Sequence, residues 1–353
     1  MASVAGPKSR PPRTSQGWRR APPFPFHVRS HPVPTKPTIL VTRRLPDNVL
    51  ARIERDYDAH INCEDKVYDA AAIARLSNGC AGILTCSTEK FPLAMIERLP
   101  AMVRIIATFS VGFEHIDLAA AKARKIVVTN TPDVLTDSTA DVALLLMLGA
   151  ARRAFEGERL VRTGAWKAWT PTFMLGVDVS GKALGILGMG RIGQAVARRA
   201  RGFGMEIHYS NRRRLPAEQE MGAIYHADAD SMLPVIDFLS INSPSTAETL
   251  HWLNERRIGL MRHSAIVVNT ARGNIVDDNA LIPALRSGRL RAAGLDVYEG
   301  EPNLNPAYLA LDNAFLMPHI GSATQGTRDA MGFRALDNLD AFFAGREPPD
   351  RLV

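Results

Sequence analysis

The sequence predicts an α/β protein built on two parallel sheets with helices on both faces. Short apolar runs alternate with longer helical runs from Pro37 onward. A second series of the same kind begins near Ala183 and supplies six strands, the number in a dinucleotide-binding doubly wound sheet. Between its first strand and the next helix lies a glycine-rich turn, GMGRIG. At 353 residues and 46% hydrophobic, the chain can bury two cores of ordinary domain size.

In chain order, TILVT (38–42), AGILT (81–85), VRIIATF (103–109) and KIVVTN (125–130) read as strands. Helical stretches lie between them near 47–56, 68–77 and 92–98. Residues 138–154 form a mostly apolar helical run, which argues for burial between domains or subunits. The second series is ALGIL (183–187), EIHYS (206–210), AIYH (223–226), IDFLSIN (236–242), AIVVNT (265–270) and RAAGLDV (291–297). FLMPHIG (315–321) then leads into a terminal helix from Asp329 to Phe343.

The net charge of +7 suggests a nucleic-acid partner until it is located. Seven of the 43 basic residues lie in residues 1–36 without an acid, which leaves 36 against the 36 acidic ones. The folded body is therefore neutral, and no nucleic-acid partner is expected for it. Eight prolines in that first segment make it a disordered tail. An organelle transit peptide, a nucleic-acid tether and an unused upstream start all fit its composition. No run approaches the roughly 20 apolar residues that cross a bilayer, so the cytoplasm is the expected compartment. Cys63, Cys80 and Cys86 lack the spacing of a zinc site, so reduced thiols and no metal are expected.

The glycine turn has a physical reading. Gly188 permits the tight turn, Gly190 lets the backbone approach a pyrophosphate, and Gly193 allows close packing of helix on strand. The helix N-terminus then offers free N–H groups and its positive end to the phosphates, with Met189, Arg191 and Ile192 at the cofactor. Where an NAD site carries an acid at the end of its second strand, this chain has Asn211 after Ser210. Asn211 cannot repel a 2′-phosphate, and Arg212 and Arg213 can pair with one. NADP(H) is the expected cofactor, with NAD(H) as the alternative.

Three further segments end apolar strands with ionisable residues: NTARGNIVDD (269–278), GLDVYEGEP (294–302) and MPHIGSAT (317–324). Singly, Arg272 could be a salt-bridge partner, Glu301 a solvated acid and His319 a core histidine. Behind this glycine turn the three resemble the D-isomer-specific 2-hydroxyacid dehydrogenase family over residues 38–350. The likeness is strongest to its glyoxylate/hydroxypyruvate reductase branch, in W-K-A-W-x-P (166–171) and residues 175–205.

That resemblance implies a Rossmann-type nucleotide domain (130–317) inserted in a smaller flavodoxin-like substrate domain (37–129 and 318–353). Arg272 would polarise the carbonyl oxygen and hold the carboxylate through its planar fork. His319 would donate the proton that completes the alcohol, and Glu301 would orient the imidazole. Ser110, Val111 and Gly112 match the loop that binds the substrate carboxylate. Asp296 matches a residue near the nicotinamide carboxamide. Thr139, Ser243, Pro244, Thr270, Ala271 and Gly321 match positions along the cofactor, which Arg272 and His319 also face. Trp169 matches a tryptophan that enters the neighbouring subunit's site, or is an interface anchor only. A pocket near Leu45, Val111 and Trp169 would set which keto acid fits. The long apolar helix and family habit both imply a homodimer.

The resemblance implies NADPH-dependent reduction of glyoxylate or hydroxypyruvate. A dehydrogenase for a larger or phosphorylated substrate such as 3-phosphoglycerate is the nearest alternative, although no regulatory domain follows residue 353. Formate dehydrogenases of the superfamily carry glutamine where Glu301 stands, which argues against formate. Some relatives with this fold are nucleotide-sensing corepressors, a reading from another class that Arg272, Glu301 and His319 disfavour.

Overall fold

The computed structural model describes residues 1–3 and 36–353; the expected tail lies outside these but for its ends. Strands β1 (Thr38–Val41), β2 (Asp58–Ile61), β3 (Gly82–Thr85), β4 (Ile105–Thr108) and β5 (Val127–Thr129) form one sheet in the order β2-β1-β3-β4-β5. All its pairs are parallel, and the order is that of flavodoxin-like sheets. A second sheet holds β6 (Ala183–Leu187), β7 (Glu206–Ser210), β8 (Ile224–Tyr225), β9 (Phe238–Ile241), β10 (Ile266–Asn269), β11 (Ala292–Leu295) and β12 (Ala314–Leu316). Its order, β12-β11-β10-β9-β6-β7-β8, is the doubly wound dinucleotide arrangement with one strand added at the β11 edge.

The strands read from the sequence are present, with two differences. FLMPHIG contributes β12 as a seventh strand of the second sheet. The second strand, DAHI, was not anticipated. It is an edge strand paired only with β1, and its residues alternate between exposed and half-buried. A strand that buries so little needs no apolar signature, and DAHI has none.

Each sheet carries a core on both faces. Ile83, Ile106 and Val128 point to one face of the first sheet, where Phe91 and Ile96 pack on them. Ile39, Leu84 and Ile105 point to the other and meet Met331, Leu336 and Leu339 of the Gln325–Phe343 helix. The C-terminal helix thus completes the first sheet, packing on β4 and on the Asp47–Asp56 helix. It starts four residues before the expected Asp329, because the Thr324 hydroxyl caps it by accepting from Thr327 N–H at 3.2 Å.

The apolar run 138–154 is helical over Thr136–Ala151 and breaks at Arg153, whose φ is +55°. Its burial has a different cause from the one expected. The helix lies on β10, β11 and β12 and against the Arg191–Arg201 helix, within one core of the second sheet. Its exposed edge carries Asp137 and Asp141, both paired with Arg199, and Leu145, while Ser138 meets Thr327 of the C-terminal helix, Oγ to Oγ1, at 2.5 Å. Among the described residues no helix is long and apolar enough to cross a membrane.

Candidate active site

The chemistry-bearing residues sit where strands of both sheets end, the edge at which open α/β sheets bind ligands. After β6, Gly188 takes a φ of +88° and its N–H donates to Ser210 C=O at 3.0 Å. A Cβ on Gly193 would stand 2.4 Å from Gly188 O, so only glycine lets the helix close on the strand there. Gly190, which caps that helix, has open space in front of it. Ser243 packs on Gly188, Pro244 begins the wall beyond it, and Ile192 lies half-buried against the core.

The basic turn after β7 is tied down at its start. Asn211 Oδ1 accepts from Met189 N–H at 2.6 Å, which joins the turn to the glycine loop. Arg212 and Arg213 are exposed and have no partner among the described residues. Arg214 is already engaged, with Glu220 at 2.7 and 3.0 Å. Arg191 pairs with Asp133, so its guanidinium points across the loop rather than along it.

Residues after β9 and β10 leave two polar atoms unmatched. Asn242 Oδ1 and Thr270 Oγ1 are sealed from water and lack a hydrogen-bond partner among the described residues. Buried polar atoms are rarely left so, and a polar ligand along this edge would satisfy them. With the open space at Gly190, they make the edge fit a dinucleotide.

Arg272 is placed by its own loop. Asn269 shapes the turn by accepting from Ala271 N–H at 3.0 Å and donating to Arg272 C=O at 2.9 Å. Arg272 Nη1 then donates to Ala271 C=O at 2.7 Å, while Nη2 reaches Glu114 Oε2 at 3.3 Å. The guanidinium lies so close to Gly112 that a Cβ there would stand 1.6 Å from Nη2. The structure thus brings the arginine of one sheet onto the 110–112 loop of the other.

That loop presents its backbone, not its side chain. Neither Val111 nor Gly112 N–H donates to another group among the described residues. Val111 C=O is held by Asn130 Nδ2 at 2.8 Å, and Ser110 Oγ donates to Gly112 C=O at 2.6 Å. Since a hydroxyl has one proton, Thr108 must donate to Ser110 (2.8 Å) and His115 Nε2–H to Thr108 (3.0 Å). The Ser110 side chain therefore supports from behind the loop whose backbone N–H groups are the ones expected at the substrate.

Burial pushes the His115 imidazole down to about 4 from 6.5. The unfolded chain therefore takes up a proton near pH 6.5 that the fold resists until about pH 4. Stability should fall as pH drops through that window, by on the order of 3 kcal/mol from this group. Denaturant midpoints between pH 7 and 4.5 check it: His115→Gln should flatten the decline. An undiminished slope would assign the acid sensitivity to other groups.

On the far side of the cleft His319 Nδ1 meets Glu301 Oε1 at 2.6 Å, leaving Nε2 without a partner among the described residues. His319 takes a φ of +54°, a sparsely populated conformation held by its neighbours. Asp296, buried below, accepts from Ile320 N–H at 2.7 Å and Gly321 N–H at 2.8 Å, while Thr139 packs against Gly321. Each carboxylate oxygen of Asp296 thus accepts one N–H of the histidine loop and keeps a further lone pair. The Tyr298 hydroxyl lies between Leu295 and Met317 C=O, at 3.1 and 2.9 Å, and its one proton is shared between them. Burial would raise Glu301, but the His319 ring, Tyr298 N–H and the Arg272 charge outweigh it and hold the carboxyl below the usual range.

Trp169, expected to enter the site of a neighbouring subunit, is 74% exposed in its own chain. Leu45 is buried in the core under the C-terminal helix. Sequence reading missed Asn130, Glu114, His115, Asn242 and Tyr298. Glu114 and His115 directly follow the loop in SVGFEH, and two ionisable residues beside a backbone anion site were the available signal.

A sheet of this order with an arginine and a histidine–carboxylate pair facing its cleft defines a dinucleotide-dependent oxidoreductase. The family model described as D-isomer specific 2-hydroxyacid dehydrogenase, NAD binding domain, matches residues 144–321. Glycerate dehydrogenase of Hyphomicrobium methylovorum is 43% identical over 315 residues, 89% of this chain and 98% of that protein. Glyoxylate reductase of Thermococcus litoralis is 43% identical over 320 residues, 89% and 96% of the two chains. The crystal structure of an NADPH-dependent glyoxylate/hydroxypyruvate reductase from Sinorhizobium meliloti with NADP and malonate gives a TM-score of 0.81 at 34% identity, covering 90% of this chain and 97% of that one. The chain belongs to the D-isomer-specific 2-hydroxyacid dehydrogenase family.

Proposed function

We propose that the protein is an NADPH-dependent reductase of a small 2-keto acid, converting glyoxylate to glycolate and hydroxypyruvate to D-glycerate. The observation that carries this reading is the contact of the Arg272 guanidinium with the 110–112 loop, opposite the His319–Glu301 pair. Val111 and Gly112 N–H would bind the carboxylate of the keto acid, with one edge of the Arg272 fork. The other edge would meet the ketone oxygen, where negative charge develops. His319 Nε2–H would deliver its proton to that oxygen, with Glu301 fixing the ring through Nδ1. A reduced nicotinamide along the β9–β11 edge would supply the hydride. Glu114, the present partner of Arg272, would give up that contact to the substrate carboxylate.

The same reading assigns residues 37–129 and 318–353 to a substrate domain and 130–317 to a nucleotide domain, closing on each other to exclude water. It also makes the protein a homodimer: Trp166, Trp169, Phe173 and Leu175 leave large apolar surfaces exposed on one segment. The names of the relatives, glyoxylate reductase and glycerate dehydrogenase, support the substrate class.

A panel of keto acids ranked by kcat/KM tests the substrate. Glyoxylate and hydroxypyruvate should lead, and no turnover with any small 2-keto acid would leave a nucleotide-sensing role instead. For the cofactor, replacing Arg212 and Arg213 with glutamine should lower the NADPH/NADH ratio of kcat/KM by about 10- to 100-fold, the loss of charge-assisted contacts to a phosphate. An unchanged ratio would reject the assignment of those arginines.

A further inference from the structure

We infer that Glu220, acting through Arg214 and Tyr209, is the positioning residue that holds the Asn211–Arg213 turn open for a 2′-phosphate; this rests on the NADPH reading above. The turn lies between two anchored ends. At its start, Asn211 is bound through Oδ1 to Met189 N–H, and its C=O accepts from the Tyr225 hydroxyl at 3.3 Å. At its end, Leu215 N–H donates to the Tyr209 hydroxyl at 3.0 Å, and that hydroxyl donates to Glu220 Oε1 at 2.5 Å. Glu220 also takes both prongs of Arg214, and Arg201 Nη2 holds its backbone C=O at 2.8 Å. Glu220 is 6% exposed and Tyr209 fully buried, so these two members of the clamp belong to the core, while the Arg214 side chain that joins them stays largely exposed.

Three consecutive arginines therefore have two fates. Glu220 draws Arg214 back onto the sheet, over the Tyr225 ring, and only Arg212 and Arg213 are presented to a ligand. Without the clamp all three would repel one another on a loose loop, and the two that bind a phosphate would lose their ordering. Glu220 is itself an anion near an anion site. Charge alone predicts that removing it would strengthen NADPH binding, whereas positioning predicts the reverse.

The sign of the effect makes the test. In the full-length protein, Glu220→Gln should raise KM for NADPH by about three- to tenfold, as a preordered contact becomes mobile, with KM for NADH changed less than twofold. A parallel rise for both cofactors would show a merely structural role, and tighter NADPH binding would show a charge effect; either overturns the inference. If Glu220→Gln does not fold, Tyr209→Phe keeps the core volume while removing the hydroxyl that Leu215 and Glu220 share, and the same split is expected. The Arg212/Arg213 double substitution separates the two claims. If it lowers the NADPH/NADH ratio and the clamp variants do not, the inference alone fails; if it leaves the ratio unchanged, the NADPH reading fails and takes the clamp with it.

Discussion

His319→Gln should lower kcat by about 10²- to 10⁴-fold, the range for losing a positioned general acid, while the dissociation constant for NADPH moves by little. Glutamine can still meet Glu301 through its amide, so the loop beneath it should persist. Asp296 holds that loop through Ile320 and Gly321 N–H, not through the imidazole. What glutamine lacks is a proton to release at the position of Nε2, the nitrogen that faces away from Glu301. Steady-state rates and cofactor titration by fluorescence check both halves. Loss of NADPH binding along with kcat would make His319 a structural residue of the loop.

Arg272→Lys should cost about 10²- to 10³-fold in kcat/KM for the keto acid, comparable to deleting an oxyanion-binding donor. The substitution keeps the charge and removes the geometry. Arg272 has one nitrogen on Ala271 C=O and the other beside Gly112, so the planar group spans from its own loop to the unpaired N–H groups of the 110–112 loop. A lysine ammonium cannot serve both ends at once. Kinetics with glyoxylate decide it, and a loss smaller than about threefold would mean that a point charge suffices.

The backbone of this protein was largely legible in its sequence. Buried parallel strands read as continuous apolar runs, and GMGRIG marks its turn because each glycine meets a close approach or a ligand space. DAHI escaped because an edge strand that buries little has no pattern to show. At the site, Arg272, Glu301 and His319 announced themselves as ionisable residues ending apolar strands. Their second layer did not. The sequence does not show that the Ser110 hydroxyl turns back onto Gly112 C=O or that Asp296 holds the His319 loop. Glu220 lies ten residues beyond Ser210 and nothing in its neighbourhood marks it; its role depends on the fold bringing Tyr209, Arg214 and Leu215 to it. Local chemistry shows in a sequence, but partnerships across sheets do not.

The most direct measurement incubates the full-length protein with NADPH and hydroxypyruvate and determines the amount and handedness of glycerate formed. The proposed reaction, in a chain of the D-isomer-specific family, predicts D-glycerate in amounts equal to the NADPH consumed. L-glycerate, or NADPH left intact with hydroxypyruvate and glyoxylate alike, would contradict it.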